Sequence, residues 1–339
     1  MRRILCYILL FVLICFTIPI IFTKTKEIEK NKEDDEIYLN EVKEENQIEE
    51  KVGYDYKEYN TIKLLHAKTG QIEEILLDEY LYGVVSAEMP ASFEIEALKA
   101  QAIVARTYTI YKIQNSGRKH EGASICDDST CCQAWISKED RFAKWEENTK
   151  ESNWNKIVNA VDSCKGKIIT YEGKPINAFF HSNSGGKTET TINVWGGDNY
   201  PYLQSVETSG EDSYSQYNSE VVLTKQEFID KIKQSHTDFE IDFNKENCIE
   251  VLEYTEGDRV KIIKIGNIEL SGVEVRTLLS LKSAKFKVSL EENNIKFSVT
   301  GYGHGVGMSQ TGADSMAKEG KNYEEIIKHF YTGVEIVNL

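Results

Sequence analysis

The chain has no cluster of lysine and arginine. Its 40 basic residues are outnumbered by 55 acidic ones over 339 positions, a formal charge of −15. Nucleic acid is bound by concentrated cationic charge on phosphates, so this balance excludes it as a partner and leaves neutral or cationic polymers. A nucleotide loop is also missing: the glycines at 301, 303, 305 and 307 fit neither the dinucleotide fingerprint nor the P-loop, and no Lys-Ser or Lys-Thr pair follows them. There are no internal repeats and no paired CxxC motif. What is present is 40% hydrophobic residues, enough for a proper core in one large or two medium domains.

Three regions separate by composition. Ile4 to Phe22 is an uncharged apolar run behind Arg2 and Arg3, long enough for one bilayer crossing. A signal peptide is the alternative, but no small-residue cleavage site follows the run, so residues 1–23 read as a retained membrane anchor with the rest outside the cytoplasm. Residues 24–58 are dominated by Glu, Lys, Asp and Asn and read as a charged linker. Residues 59–339 form the folded region, with 208–294 as a supporting subregion. Hairpin signals around Thr69-Gly70 and capping boxes at Thr224/Glu227 and Ser271/Glu274 favour an α+β fold over a doubly wound sheet.

One stretch organises the folded region. In YLYGVVSAEMP, Asp78 is placed to cap a short helix, and Leu81, Val84, Val85 and Glu88 share one face by their spacing. Pro90 disfavours helical geometry at Met89, so Glu88 falls in the last turn. An acid on an apolar face at the negative end of a helix has a raised pKa, which suits it to general-acid cleavage of a glycosidic bond. The competing reading is a structural ion pair with Lys99 or Arg106. A second, nearly all-round apolar helix, capped at Ser92 and reaching about Asn115, carries Lys99, Gln101 and Arg106.

The segment from Ser116 to Trp135 places His120, Cys126 and Cys132 at intervals of six, with Cys131 adjacent. Thiolates and imidazole are ligands for Zn²⁺, with Cys131, an acid or water as the fourth; a disulfide plus a surface histidine is the alternative. Further on, Lys167–Tyr171 and Ile176–Phe180 read as a strand pair. Small hydroxyl and glycine residues around Ser184 and Thr188 suit close approach to sugar hydroxyls, and Tyr200 and Tyr202 offer flat faces of the kind carbohydrate grooves use. Ser309 and Gln310, in a glycine-rich block, are placed to close one side of a groove.

The blocks YLYGVVSAEMP, ALKAQAIVARTY, HSNSGGKTE, WGGDNYPYLQSVE and GYGHGVGMSQTGA together resemble the SpoIID family of sporulation proteins, membrane-anchored lytic transglycosylases of peptidoglycan. The resemblance implies cleavage between N-acetylmuramic acid and N-acetylglucosamine, with Glu88 as the catalytic acid and then base, leaving a 1,6-anhydro end. It also implies glycan strands stripped of stem peptides as substrate, a partner amidase and a membrane protein of the engulfment machinery, and a place in the mother-cell membrane facing the forespore. A catalytically inert glycan-binding scaffold and a zinc-dependent amidase centred on His120, Cys126 and Cys132 remain as other classes.

Overall fold

The computed structural model describes residues 59–115 and 120–339. The apolar run and the charged linker expected within residues 1–58 lie outside the described residues, and no described helix is long and apolar enough to cross a membrane.

The chain enters through a hairpin, β1 (Thr61–Leu65) and β2 (Ile72–Leu76), paired antiparallel and turned at Gly70, whose φ of 73° suits glycine. It runs straight into α1 (Leu77–Glu88). Asp78 lies inside the first turn rather than at the cap; the capping position is Leu76, with no side-chain hydrogen bond, because the strand leads into the helix without a break. Helix α1 ends where Pro90 requires: Met89 is extended, with φ −121° and ψ 143°. Helix α2 (Ile95–Asn115) begins three residues beyond Ser92, and from Ala97 to Ala105 all but Lys99 are buried. The short β3 (Ile125–Cys126) then adds to β1 in parallel, pairing Leu65 with Cys126.

Helices α3 (Lys138–Phe142) and α4 (Lys150–Asp162) follow, the latter packed on α1 and α2. Strand β4 (Lys167–Tyr171) pairs with β5 (Lys174–Pro175), not with 176–180 as expected. The difference has a local cause. The Asn177 N–H donates to the Tyr202 hydroxyl, and β6 (Phe180–His181) pairs in parallel with a strand from the glycine-rich block. After α5 (Thr191–Trp195) and a single 3₁₀ turn at Glu211–Ser213, the chain builds a second core.

That second core holds two three-stranded antiparallel sheets. One contains β7 (Asn218–Thr224) and, later, β11 (Phe286–Leu290) and β12 (Asn294–Thr300); the other contains β8 (Ile249–Tyr254), β9 (Val260–Ile265) and β10 (Ile268–Ser271). Helices α6 (Lys225–Lys233), with the expected capping box at Thr224 and Glu227, and α7 (Gly272–Leu278), capped by Ser271, complete it. Phe228, Phe239, Ile263, Ile295 and Phe297 are fully withdrawn from solvent there. The chain returns to the first core with β13 (Met308–Ser309), α8 (Gln310–Lys318), α9 (Tyr323–Phe330) and β14 (Glu335–Asn338), which pairs with β4. The architecture is mixed α+β, with α2 at the centre of the first core.

Candidate active site

Glu88 sits where a helix must stop, and two later segments reach back to it. The Ala134 N–H donates to Glu88 Oε1 at 2.8 Å, and Gln310 Nε2 donates to Oε2 at 3.1 Å. The neighbouring residues Leu81, Val84 and Val85 are fully buried, as their spacing requires. Burial raises the Glu88 pKa, and the hydrogen bonds from Ala134 and Gln310 offset this only in part. The carboxyl therefore keeps a proton to higher pH than an ordinary glutamate.

Each of those two donors is delivered by a specific packing event. Gly83 of α1 has no side chain because Trp135 occupies its place: a Cβ there would lie 2.2 Å from the indole Nε1 and 2.8 Å from the Ile136 carbonyl. This close approach lays residues 133–136 along the helix and brings Ala134 N over Glu88. Gln133 pins the same segment by donating to the Tyr80 hydroxyl at 2.8 Å and to Thr109 Oγ1 at 3.0 Å. On the other side, Ser309 caps α8 by accepting from Gly312 N–H, which sets Gln310 in the first turn. Gln310 also contacts Gln101 Oε1 at 3.5 Å, so Gln101 of α2 supports the group that holds Glu88. The Gln101 Nε2 is buried without a partner among the described residues.

Glu88 opens on a cleft of about 410 Å³, lined also by Ser92, Arg141, Trp145, Asn153 and Gln216, a size ordinary for ligand sites. A broader depression of about 1260 Å³, lined by His66, Asp127, Trp135 and Lys144 among others, adjoins it and shares Ala87 and Arg141 as a common wall.

The remaining candidates lie elsewhere in the framework. Arg106 is fully buried and donates to the carbonyls of Cys164 and Lys167, with Asp78 at 3.4 Å. Lys99 pairs with Glu96 at 3.0 Å on the same helix. Thr188 Oγ1 donates to the Gln204 carbonyl and accepts from Val206 N–H. Tyr202 is buried against Tyr171 and Tyr200. Ser184 and Ser309 both donate to the carboxylate of Glu211, as do Thr208 and Thr311, while the Ser184 and Gly186 N–H groups add two more bonds. These contacts make Arg106, Thr188, Ser184 and Tyr202 internal braces.

Glu211 is the acid that sequence reading passed over. It falls in a stretch with no apolar periodicity, and five of its six donors come from two distant segments, around Ser184 and around Ser309, with Thr208 the one local partner. Burial pulls its pKa up, but the hydrogen bonds of Ser184, Ser309, Thr208 and Gly186 together win and bring it to about 2. The glycine-rich block is likewise packed rather than open. Gly307 has φ 71°, and a Cβ on it would lie 1.9 Å from the Phe179 carbonyl; at Gly305 the Arg259 guanidinium stands 2.2 Å from that position. His181 and His304 meet beneath it at 5.6 Å, and burial, with the Arg259 charge, lowers the His181 pKa to about 4.

A cluster of soft ligands stands at the far end of the Ala134 segment. One ligand atom each from His120, Cys126, Cys131 and Cys132 lies within 4.8 Å of the others, and none of the three cysteines is in a disulfide. His120 Nε2 is 3.4 Å from Cys132 Sγ and 3.6 Å from Cys131 Sγ, and the two sulfurs are 4.0 Å apart. Metal–sulfur bonds of ~2.3 Å in a tetrahedron require ligand separations of about 3.8 Å. His120, Cys131 and Cys132 are therefore spaced as three ligands of a small tetrahedral ion would be, and Cys126 lies within 4.8 Å of them, which makes the four a possible metal-binding cluster. Burial pushes the Cys126 thiol up to about 12 and also raises Cys132, which favours the protonated form of these two groups.

The site therefore consists of an acid with a raised pKa, hung between two polypeptide segments at the wall of a cleft in a mixed α+β core. Sequence comparison places the chain more closely. The profile of the SpoIID family, stage II sporulation protein, matches residues 66–171. Stage II sporulation protein D of Bacillus subtilis is 36% identical over 278 residues, covering 81% of this chain and 78% of that one; the Bacillus amyloliquefaciens protein of the same name is 35% identical over 277 residues with the same coverage. A Bacillus subtilis amidase enhancer is 29% identical over 76% of this chain and 40% of its own. The chain belongs to the SpoIID family of sporulation proteins.

Proposed function

We propose that the protein is a lytic transglycosylase that cuts the bond from N-acetylmuramic acid to N-acetylglucosamine in peptidoglycan strands lacking stem peptides, during engulfment in endospore formation. The observation that carries this is Glu88: a carboxylic acid whose pKa burial raises, at the wall of a cleft able to take sugar units. Protonated, it gives its proton to the glycosidic oxygen. The resulting carboxylate is held by Ala134 N–H and Gln310 Nε2 at the moment charge appears. It then takes the proton of the muramoyl C6 hydroxyl as that oxygen closes on C1, leaving a 1,6-anhydro end. One residue acts as acid and then base, so no second carboxylate at glycosidase spacing is required.

His120, Cys126, Cys131 and Cys132 fit a structural Zn²⁺ site by donor chemistry and spacing. No step of the reaction runs through it. Cys132 is two residues from Ala134, so the cluster acts by fixing the N–H that holds Glu88. The zinc-amidase reading is disfavoured because four protein ligands leave no open position for water. The likeness to an amidase enhancer supports work beside an amidase that strips the strands. An N-terminal membrane anchor, with the folded region outside the cytoplasm, completes the reading. Incubation with denuded glycan strands and mass spectrometry of the products tests it: anhydro-muramoyl ends are expected from the parent protein and none from Glu88→Gln. Intact strands bound but uncut by the parent protein favour the inert scaffold instead.

A further inference from the structure

Among the described residues, the cleft beside Glu88 contains a cation without a counter-ion. Arg141 lines both the cleft and the adjoining depression. Among the described residues no carboxylate lies within ion-pair distance of it, although the chain carries 55 acidic residues, and its Nε is buried with no hydrogen-bond partner. Its position is nonetheless fixed. Helix α3 is capped by Ser137, the guanidinium lies over the Trp145 ring at 4.8 Å, and Phe142 packs edge-on against Trp154 at 6.0 Å beneath. Stacking holds a guanidinium by its face and leaves the N–H donors at its rim for a planar acceptor. Burial works against the positive charge, a penalty that an anionic partner would offset.

We propose that Arg141 determines substrate specificity by binding a free carboxylate on the sugar next to the scissile bond, the lactyl carboxylate of the muramoyl residue. This rests on the glycan-cleaving reading of Glu88. Such pairing would favour a stripped strand over one that still carries its stem peptides. A stem peptide converts the lactyl carboxylate into an amide, which removes the charge that pairs with Arg141 and adds bulk in the same cleft. Asn153 and Gln216, on the same wall, offer neutral amide groups for the acetamido and hydroxyl groups of the sugars.

The test uses the full-length protein in detergent, in a Glu88→Gln background so that binding is read without turnover. Muramoyl oligosaccharides with a free lactyl acid and with the lactyl methylamide are titrated calorimetrically, and a chitin oligosaccharide serves as a cleft control. The free acid is expected to bind roughly 10- to 100-fold tighter than the amide, the worth of a charge-assisted hydrogen bond. Arg141→Gln abolishes that ratio by weakening the acid alone, Arg141→Lys restores part of it, and chitin binding and the melting temperature stay unchanged. A ratio that survives Arg141→Gln overturns the proposal, as does equal binding of acid and amide, or no binding of either, by the Glu88→Gln protein. Because the ratio is read without catalysis, a parent protein that discriminates but makes no anhydro ends refutes the transglycosylase reading and leaves Arg141 in place.

Discussion

Glu88 and Glu211 belong to the same framework, and their carboxyls are driven in opposite directions. Glu88 has two donors and a cleft in front of it, and burial raises its pKa. Glu211 is 1% exposed and takes four hydroxyls and two backbone N–H groups, and its pKa falls to about 2. Burial alone therefore does not decide what an acid does. The number of donors does: six fix a permanent anion that ties Ser184, Thr208, Ser309 and Thr311 together, whereas two leave an anion that is supported but not favoured. The first is a structural knot, and the second keeps its proton to higher pH, as the proposed acid role requires.

The comparison breaks most visibly at Glu88 itself. Glu88→Gln is expected to lower turnover by about 10³-fold or more, since general acid and base catalysis are both lost. It is also expected to raise the melting temperature slightly at neutral pH. The sign follows from linkage: a pKa raised in the folded state means that stability falls as pH rises through it, and the amide removes that loss. A well-folded Glu88→Gln enzyme with near-parental rates would falsify the assignment. Activity of the parent protein should decline toward alkaline pH as Glu88 loses its proton, measurable from a kcat profile on denuded glycan.

At Glu211 the outcome is reversed. Glu211→Ala removes the acceptor shared by six donors, four of them on the buried residues Ser184, Ser309 and Thr311, and is expected to cost about 3–5 kcal/mol of stability, read from urea unfolding. Its depressed pKa contributes stability that is complete above the ordinary carboxylate value of 4.5 and lost as pH falls toward about 2. A urea midpoint that does not fall over that interval would show that Glu211 is not the anion described.

The proposed zinc site is expected to give a smaller effect than either. Purified protein is expected to carry close to one equivalent of zinc per chain, and chelation or Cys132→Ser should lower both melting temperature and turnover, because the segment bearing Ala134 N loosens. Zinc below about a tenth of an equivalent in gently purified protein would remove the metal from this account. The smallest effect is expected at Gly83→Ala. An added methyl group meets Trp135 and is expected to cost about 1–3 kcal/mol by overpacking. Turnover should fall more than stability does, since the displaced segment is the one that holds Glu88.

The sequence by itself determined the local events. Pro90 ends α1 and so sets Glu88 in its last turn; the 3.6-residue period puts Leu81, Val84 and Val85 on its face; Gly70 turns the hairpin; Thr224 and Glu227 cap α6. Each is settled within a few residues, by sterics and hydrogen bonds that need no partner from elsewhere. The sequence also pointed to His120, Cys126 and Cys132 by residue type and spacing, and the fold brings them together with Cys131 within 4.8 Å. Only the tertiary structure decided the rest. Gln310 reaches Glu88 across 222 positions, and Ser309 reaches Glu211 across 98. Whether Arg106, Thr188 and Ser184 face a ligand or the interior depended on which strands and loops arrived beside them. Polar side chains carry the same donors and acceptors in either setting, so the choice between brace and binding group is made by the partners that long-range packing supplies.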